Sequence, residues 1–467
     1  MENALLVKLR EGAELSRREQ VLLTVQLSVP AILAQLSSIV MQYADSAMVG
    51  RLGAIDSASI GLISTTTWLM NGVTMAMGTG FTVQVAHRIG AGKPREARDV
   101  IKHGLIFALL FSFIMMAIGI GISKPLPVWL GGEPEVCIKS SKYFFIIMCG
   151  IPVMLLRYTC SGMLQASGNI KMPSILNIFM CMLNTVLNFF LIFPTRDAVI
   201  FGRDMWIPGA GLGVSGAALG TVTSETIAAV ILLFYVFFVS PDLKLRKGES
   251  TSFDKEVVAK AVKIAIPIAV ESAGMSSAHI AFTKIAAGLG TIPIAANSFA
   301  LSVESICFMP SYGVQVAVAT LVGQSIGAKR KDMANRLAWL AVGLGMAVIT
   351  VTATLMYIFS PFMLALLTPV KEIQLLGVGV LRAVAIAEPF YCATEVSNGA
   401  FRGVGDTLPP SLMLLGSMWL IRIPLAIFLA PRAGLVGMWT AMAIELIIRG
   451  VVFLLRLKGK KWLNKVI

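Results

Sequence analysis

Apolar residues run through this chain in blocks of 20 or more, and the blocks are punctuated by short polar turns rich in Gly and Pro. They fall at roughly 25–49, 57–86, 101–122, 138–160, 172–193, 213–239, 258–288, 293–323, 336–358, 373–400, 409–429 and 434–455. About 20 helical residues cross a hydrocarbon core of ~30 Å, so each block reads as a membrane-crossing helix. The alternating pattern of a transmembrane barrel, ~10 residues per strand, is absent. The pattern predicts an all-α polytopic membrane protein with about twelve transmembrane helices.

The blocks also repeat. Pro30 recurs as Pro267, and the same offset carries Leu52-Gly53 onto Leu289-Gly290 and "IGAGKPREA" onto "IGAKRKDMA" (Gly90 with Gly327). It also aligns "GMLQASGNIKMP" with "GAFRGVGDTLPP" (Gly162 with Gly399, Gly168 with Gly405, Pro173 with Pro410). Side-chain identity is modest. Glycines and prolines hold the register, and these residues set backbone shape. Six spans per half is an even number, so the halves are parallel repeats related by an axis along the membrane normal, an arrangement found in transporters with the substrate site between the halves. The predicted organisation is an N-terminal segment 1–24, an N-lobe 25–239, a polar linker 240–256 that is the hinge candidate, a C-lobe 257–456 and a tail 457–467.

Composition agrees. Hydrophobic residues make up 56% and charged residues 14%, against about a quarter charged in soluble domains. A net charge of +14 would point to nucleic acid in a soluble protein. Here, with the N-terminus placed inside, 27 Lys and Arg fall in inner segments and 8 in outer ones. This excess follows the positive-inside rule and implies a multi-pass protein of the cytoplasmic (plasma) membrane, with both termini cytoplasmic and no nucleic-acid partner. The segment ahead of the first span holds no apolar h-region, so no cleavable signal peptide is expected. The six cysteines form no CxxC pair, which implies neither a disulfide framework nor a zinc site. "GLGVSG" (211–216) spells GxGxxG but lacks the βαβ context of a dinucleotide site. With three His, no Walker A and no HExxH spacing, the chain reads as neither an ATP-driven pump nor a hydrolase, and as no enzyme with a cofactor.

Candidate chemistry lies in the polar residues inside the spans. Gln35, Ser38, Gln42, Asp45 and Ser46 share one face of the first helix. A carboxylate in hydrocarbon costs several kcal/mol unless neutralised or paired, and Asp45 is the acid of that stripe. The fifth span offers Asn177, Asn184 and Asn188, the last two one turn apart. The bland reading of these amides is interhelical glue, about 0.6–2 kcal/mol each. In the second half Glu271 stands four residues after Pro267, which can kink the helix and free carbonyls. A pair with His279 or Lys284 is its structural alternative. The tenth span carries Glu388, Tyr391, Glu395, Asn398 and Arg402 on one face, with a Glu395–Arg402 pair as the structural alternative. Glu304 joins Asn297, Ser311 and Gln315 on the eighth. Arg157 and Arg402, near the inner end, read first as topology determinants. The 25 Met read as ordinary helix filling rather than as a pocket lining. The repeat places Phe282 opposite Asp45 and Ala34 opposite Glu271, so the acids are not part of the shared scaffold.

With "PAILAQ…D…VGRLG", "AHRIGAGKPREA", "LVGQSIGAKR" and "GAFRGVGDT" in order along a 6+6 layout, nearly the whole chain resembles the multidrug and toxic compound extrusion (MATE) transporters. The resemblance implies antiport: H+ or Na+ enters and an organic, often cationic or amphipathic, compound leaves by alternating access. It implies cation coupling at Asp45, Asn184, Asn188, Thr221, Glu271 and Glu395, and a substrate cavity lined by Gln42, Glu304, Glu388 and Tyr391. Where many relatives carry an acid, this chain has Asn188 and Tyr391. No resident metal or cofactor is implied, although Na+ would suit the oxygens at Asp45 or Glu271. The implied partners are small-molecule substrates and the bilayer, with the protein a monomer. The rival within the same superfamily is a lipid-linked precursor flippase, which would present core cations such as Lys284, Arg382, Arg422 and Arg449 to its cavity.

Overall fold

The computed structural model describes residues 4–200, 203–244, 246 and 254–465. A short helix α1 (Ala4–Arg10) precedes the long ones. The first half is α2 (Arg17–Gly50), α3 (Ala54–Gly90), α4 (Pro94–Ile122), the short α5 (Pro125–Trp129), α6 (Pro134–Ala166), α7 (Lys171–Ile192) and α8 (Gly213–Phe234), which runs on through a π-helical turn, Tyr235–Val239. The second half is α9 (Lys255–Gly288), α10 (Thr291–Gly327), α11 (Lys331–Leu367), α12 (Lys371–Ala385), α13 (Glu388–Val404), α14 (Leu408–Ser417), a π-helical turn Met418–Arg422 and α15 (Ile423–Lys458).

Among the described residues eight helices are long and apolar enough to cross a membrane, or nine if α12 and α13 form one bent span. The 51-residue run Leu408–Lys458 counts once there, yet it holds the last two predicted spans, joined where Ala433 and Gly434 leave helical geometry (Gly434 φ 59°, ψ −145°). With α3 and α9 of similar length, these make up the twelve expected crossings.

Two features differ from the sequence reading. The chain is not wholly α: β1 (Pro194–Ile200) and β2 (Arg203–Ala210) form an antiparallel hairpin with Pro194 opposite Ala210. The tenth span is not one helix. It breaks between Ala385 and Glu388 with a bend of 54°, and Pro389 sits in the first turn of α13, where its missing N–H costs nothing. Of the linker 240–256, residues 245 and 247–253 lie outside the described residues.

The repeat is visible in the backbone. Gly53 and Gly290 have φ of 126° and 116°, and Gly168 and Gly405 have φ of 94° and 90°. Gly92 (φ 70°) is matched by Lys329 (φ 61°), so the second half holds a lysine in a conformation that favours glycine.

We call the face that carries both described ends of the chain the terminal face and the other the hairpin face. The lobes close on each other at the terminal face. A Cβ at Gly90 would lie 2.1 Å from the Gln324 carbonyl oxygen, and one at Gly327 would lie 2.1 Å from that of His87. These matched glycines let α3 and α10 cross with their backbones touching. Thr320 Oγ1 donates to the Gln165 carbonyl (3.1 Å), Gln324 Nε2 to that of Ala166 (2.7 Å), and His87 Nε2 contacts the Gly403 carbonyl at 2.8 Å. A Cβ at Gly80 would lie 2.1 Å from the Ala261 carbonyl oxygen, which puts α3 hard against α9. Nearer the hairpin face the Tyr43 hydroxyl on α2 donates to the Ser302 carbonyl on α10.

Both described ends of the chain are docked on the terminal face. Leu6 and Leu9 of α1 are buried with Leu23, Leu27 and Leu321. Arg10 donates to the Ser167 carbonyl (2.6 Å) and to Gln324 Oε1 (3.2 Å), touching both lobes. The capping box of α2 is formed by Ser16 and Glu19, which satisfies two of its orphan N–H groups. At the other end Trp462 is buried against Phe401, and Lys465 meets Asp406 at 2.9 Å.

Candidate functional site

In the first half, α2, α7 and α8 bring four predicted residues into one hydrogen-bonded chain. Asn188 Nδ2 donates to Asp45 Oδ1 (2.7 Å) and to Asn184 Oδ1 (3.1 Å). Asn184 Nδ2 donates to Thr221 Oγ1 (3.2 Å), and Thr221 donates to the Ala217 carbonyl (3.0 Å). An ionised carboxylate only accepts, so the Asn188 amide presents its N–H side to Asp45. The close approach depends on Gly220, where a Cβ would fall 2.0 Å from Asn188 Oδ1. That oxygen is buried and has no hydrogen-bond partner among the described residues.

Asp45 is half-buried and makes no ion pair among the described residues. Arg51 does not neutralise it. The other acid predicted in the core of this half, Glu225, is taken by Arg157 through two hydrogen bonds, one of them Nη2 to Oε1 at 3.1 Å. Arg157, expected as a topology determinant, is therefore an intramembrane counter-ion. Gln42 is exposed one turn before Asp45. Asn177 ties α7 to α2 through the Ala34 carbonyl and Ser38 Oγ, both at 3.0 Å.

In the second half Glu271 is buried and held from two helices. Arg402 Nη2 on α13 donates at 2.9 Å, and Ser411 Oγ on α14 donates at 2.5 Å. Its ion partner is Arg402, not His279 or Lys284, and this again moves an arginine from a topology role into the core. Glu395 does not take Arg402. It accepts from Gln315 Nε2 at 2.9 Å. Tyr391 shares a hydrogen bond with Tyr312 (2.9 Å), and the Arg449 guanidinium lies 5.8 Å from its ring centre. Glu304 on α10 and Glu388 at the start of α13 are buried.

One group escaped the sequence reading. Glu445 on α15 is fully buried between Arg422 (Nη2 to Oε2, 2.6 Å; Nε to Oε2, 3.0 Å) and Arg449 (Nε to Oε1, 3.4 Å). Arg422 and Glu445 lie 23 residues apart on different spans, so no helical spacing announces them. The Glu445–Arg449 step of i, i+4 was the available signal. The candidate cations of the flippase reading divide accordingly. Arg422 and Arg449 are paired in the core, whereas Lys284 and Arg382 are exposed. No group of three or more His, Cys, Asp or Glu able to hold a metal occurs among the described residues.

Two parallel six-helix lobes, a half-buried acid without a counter-ion among the described residues and a helix broken within its span define a membrane transporter rather than an enzyme. The MatE family model matches the chain twice, over residues 30–190 and 267–428, and the two matches begin at Pro30 and at its repeat partner Pro267. The chain belongs to the MatE family of transporters. It is 27% identical over 446 residues to the probable multidrug resistance protein NorM of Thermotoga maritima, covering 94% of this chain and 92% of that one. It is 23% identical to the multidrug resistance protein MdtK of Yersinia pestis, with 94% of each covered. A solved MOP superfamily transporter from Pyrococcus furiosus, described as having a binding pocket of reverse polarity, superposes with a TM-score of 0.88 over the full length of both chains at 18% identity.

Proposed function

We propose that this protein is a secondary antiporter that exports organic, cationic or amphipathic compounds in exchange for H+ or Na+ by alternating access. The terminal face is cytoplasmic in this reading, with lobes 25–239 and 257–456 and a hinge at 240–256. The protein works as a monomer in the plasma membrane. The observation that carries the proposal is Asp45: an acid within a span, free of any cation among the described residues and held by the Asn188–Asn184–Thr221 chain. A lone carboxylate at membrane depth is costly, so a bound H+ or Na+ stabilises it. The buried Asn188 Oδ1 adds an oxygen of the kind Na+ accepts. Glu271 and Glu395 serve the same coupling in the second half. Gln42, Glu304, Glu388 and Tyr391 line the substrate path. The names of the relatives support multidrug efflux.

Cation and substrate are exchanged only if they favour different states, because a ligand shifts a conformational equilibrium only by its differential affinity. The test is dye efflux from proteoliposomes under separately imposed H+ and Na+ gradients. Asp45→Asn is expected to abolish cation-driven efflux while the protein folds and inserts. Wild-type efflux by that variant would remove Asp45 from the coupling role. The flippase alternative requires unpaired cations facing the cavity. The pairing of Arg402 with Glu271, and of Arg422 and Arg449 with Glu445, favours the export of cations.

A further inference from the structure

The terminal face gathers positive charge that the exchange of cation and substrate does not use. Lys329 and Lys331 lie at the start of α11, and Lys458, Lys460 and Lys461 at the end of α15. The fold brings these two segments together. Lys331 and Asn464 are 133 residues apart, yet Lys331 Nζ donates to Asn464 Oδ1 at 3.0 Å. The turn that follows α15 is pinned from below. Trp462 and Leu463 are buried in one cluster with Ile326, Ala334 and Phe401, and Trp462 Nε1 donates to the Leu457 carbonyl at 3.0 Å. All five lysines are exposed, and none makes an ion pair among the described residues. The acids of the same stretch do not cancel them. Asp406 is already shared by Arg456 and Lys465, the latter at 2.9 Å. Asp332, in the first turn of α11, is exposed. Five lysines against one open aspartate leave four charges uncompensated.

The backbone agrees. Among the described residues only two that are not glycine have a positive φ, Lys329 (61°) and Lys460 (53°). A side chain enters this region at a cost that glycine avoids. The matched turn of the first half uses Gly92 there, and Gly459 stands beside Lys460 in ordinary helical geometry. The turns therefore do not require lysine. Both strained positions fall in one exposed cluster, and strain kept at such positions marks a use for the side chain. Depth then selects the partner. The ninth predicted span begins at 336 and the last ends at 455. Lys331 and Lys458 thus lie about 7.5 and 4.5 Å beyond the hydrocarbon along their helices, within a headgroup layer about 5–7.5 Å thick on each side. Towards the membrane both helices are apolar and uncovered. Leu455, one turn before Lys458, is 61% exposed, and Val451, Val452 and Trp339 are exposed as well. A free phosphate would meet the lysines alone, whereas a phospholipid would meet the lysines and the apolar faces together.

We propose that Lys329, Lys331, Lys458, Lys460 and Lys461 form a docking surface for the phosphate groups of anionic phospholipids, whose acyl chains lie along the exposed sides of α11 and α15. The attraction is that of a juxtamembrane polybasic segment for an anionic leaflet, here assembled from two segments and held in place by Trp462. A bound lipid bridges the ends of α11 and α15. The surface belongs to the second half alone, so it depends neither on the compound transported nor on the coupling ion.

The experiment is native mass spectrometry of the full-length protein in detergent, titrated with phosphatidylglycerol or phosphatidylcholine and read as lipid retained per chain. Wild type is expected to retain phosphatidylglycerol preferentially. Each lysine lost should weaken retention about fivefold, so Lys458→Gln, Lys460→Gln and Lys461→Gln combined should weaken it about a hundredfold. The same change at Lys171, Lys255 and Lys263, exposed elsewhere, should leave it unchanged. Equal losses in the two triple variants would mean a diffuse effect of charge and overturn the site. Lys329→Gly and Lys460→Gly separate binding from folding. With the strain relieved, each is expected to raise the Tm measured without lipid while lowering phosphatidylglycerol retention. Retention unchanged in both, whatever the Tm, overturns the role of the left-handed lysines. Inorganic phosphate at millimolar concentration is expected to leave the lipid bound. Displacement of the lipid by phosphate alone makes this a simple anion site and overturns the lipid assignment.

Discussion

The crossing of α3 and α10 at Gly90 and Gly327 sets up a direct test of closure at the terminal face. In Gly90→Ala the new Cβ would lie 2.1 Å from the Gln324 carbonyl oxygen and 2.7 Å from its Cα and carbonyl carbon. Ordinary van der Waals contact begins at 3.4 Å, so the methyl overlaps deeply with its neighbours. The obstructing atoms are backbone in the last turn of α10, and no rotamer change relieves them. The relief is to part the two lobes. Overpacking of this kind typically costs about 1–3 kcal/mol, and the cost falls on the closed arrangement alone. A bias of that size moves the equilibrium towards parted lobes about 5- to 150-fold. The assay is alkylation of a cysteine introduced at Thr320, which is buried at the same seam and bonded to the Gln165 carbonyl. Its rate should rise within that range in Gly90→Ala and again in Gly327→Ala, whose Cβ meets His87 equally closely. Gly343→Ala, with open space around its Cβ, is the control. An unchanged rate in both folded seam variants would refute the idea that these glycines hold the closed state.

Three further outcomes follow from the site. Gly220→Ala places a methyl 2.0 Å from Asn188 Oδ1 and should pull Asn188 off Asp45. The lost hydrogen bond to a charged group is worth about 1.5–3 kcal/mol, so efflux should fall sharply at normal expression, and unimpaired efflux would contradict the amide chain. Glu445→Gln strips the carboxylate from two buried arginines. It should cost about 3–5 kcal/mol, read as a lower melting temperature in detergent, and an unchanged Tm would show that the triad is not a stabilising unit. Arg402→Gln leaves Glu271 buried with Ser411 alone and should destabilise to a similar extent. Adding Glu271→Gln should recover much of that loss, since a neutral pair is cheaper than one buried charge, and strictly additive losses would deny the coupling.

The scaffold was more legible than the chemistry. Gly53, Gly168 and Gly405 could be aligned from the sequence because a left-handed backbone position admits few other residues, and the structure shows the matched torsions. Asp45, Asn184, Asn188 and Thr221 were foreseen as a group, and the structure joins them. The partners of the arginines were not foreseen. Arg402 and Glu271 are 131 residues apart, and Arg157 and Glu225 are 68 apart. Such pairs depend on how helices are rotated against one another, which periodicity alone does not fix. The break in the tenth span had its signal in Pro389, overridden by the continuous polar face from Glu388 to Arg402. The strand pairing of Pro194–Ile200 with Arg203–Ala210 was not foreseen.

Both ends of the chain also bear on how this protein can be handled. Leu6 and Leu9 sit in a seam shared by the two lobes, Arg10 bonds to each of them, and Trp462 and Lys465 close over Phe401 and Asp406. An affinity tag or fluorescent fusion abutting either segment would push on a joint between parts expected to move. Trimming the segments for crystallisation would uncover Leu23, Leu321 and a fully buried aspartate. Reporters of motion are better carried by the hairpin, on the face where the lobes are not fastened by the ends of the chain.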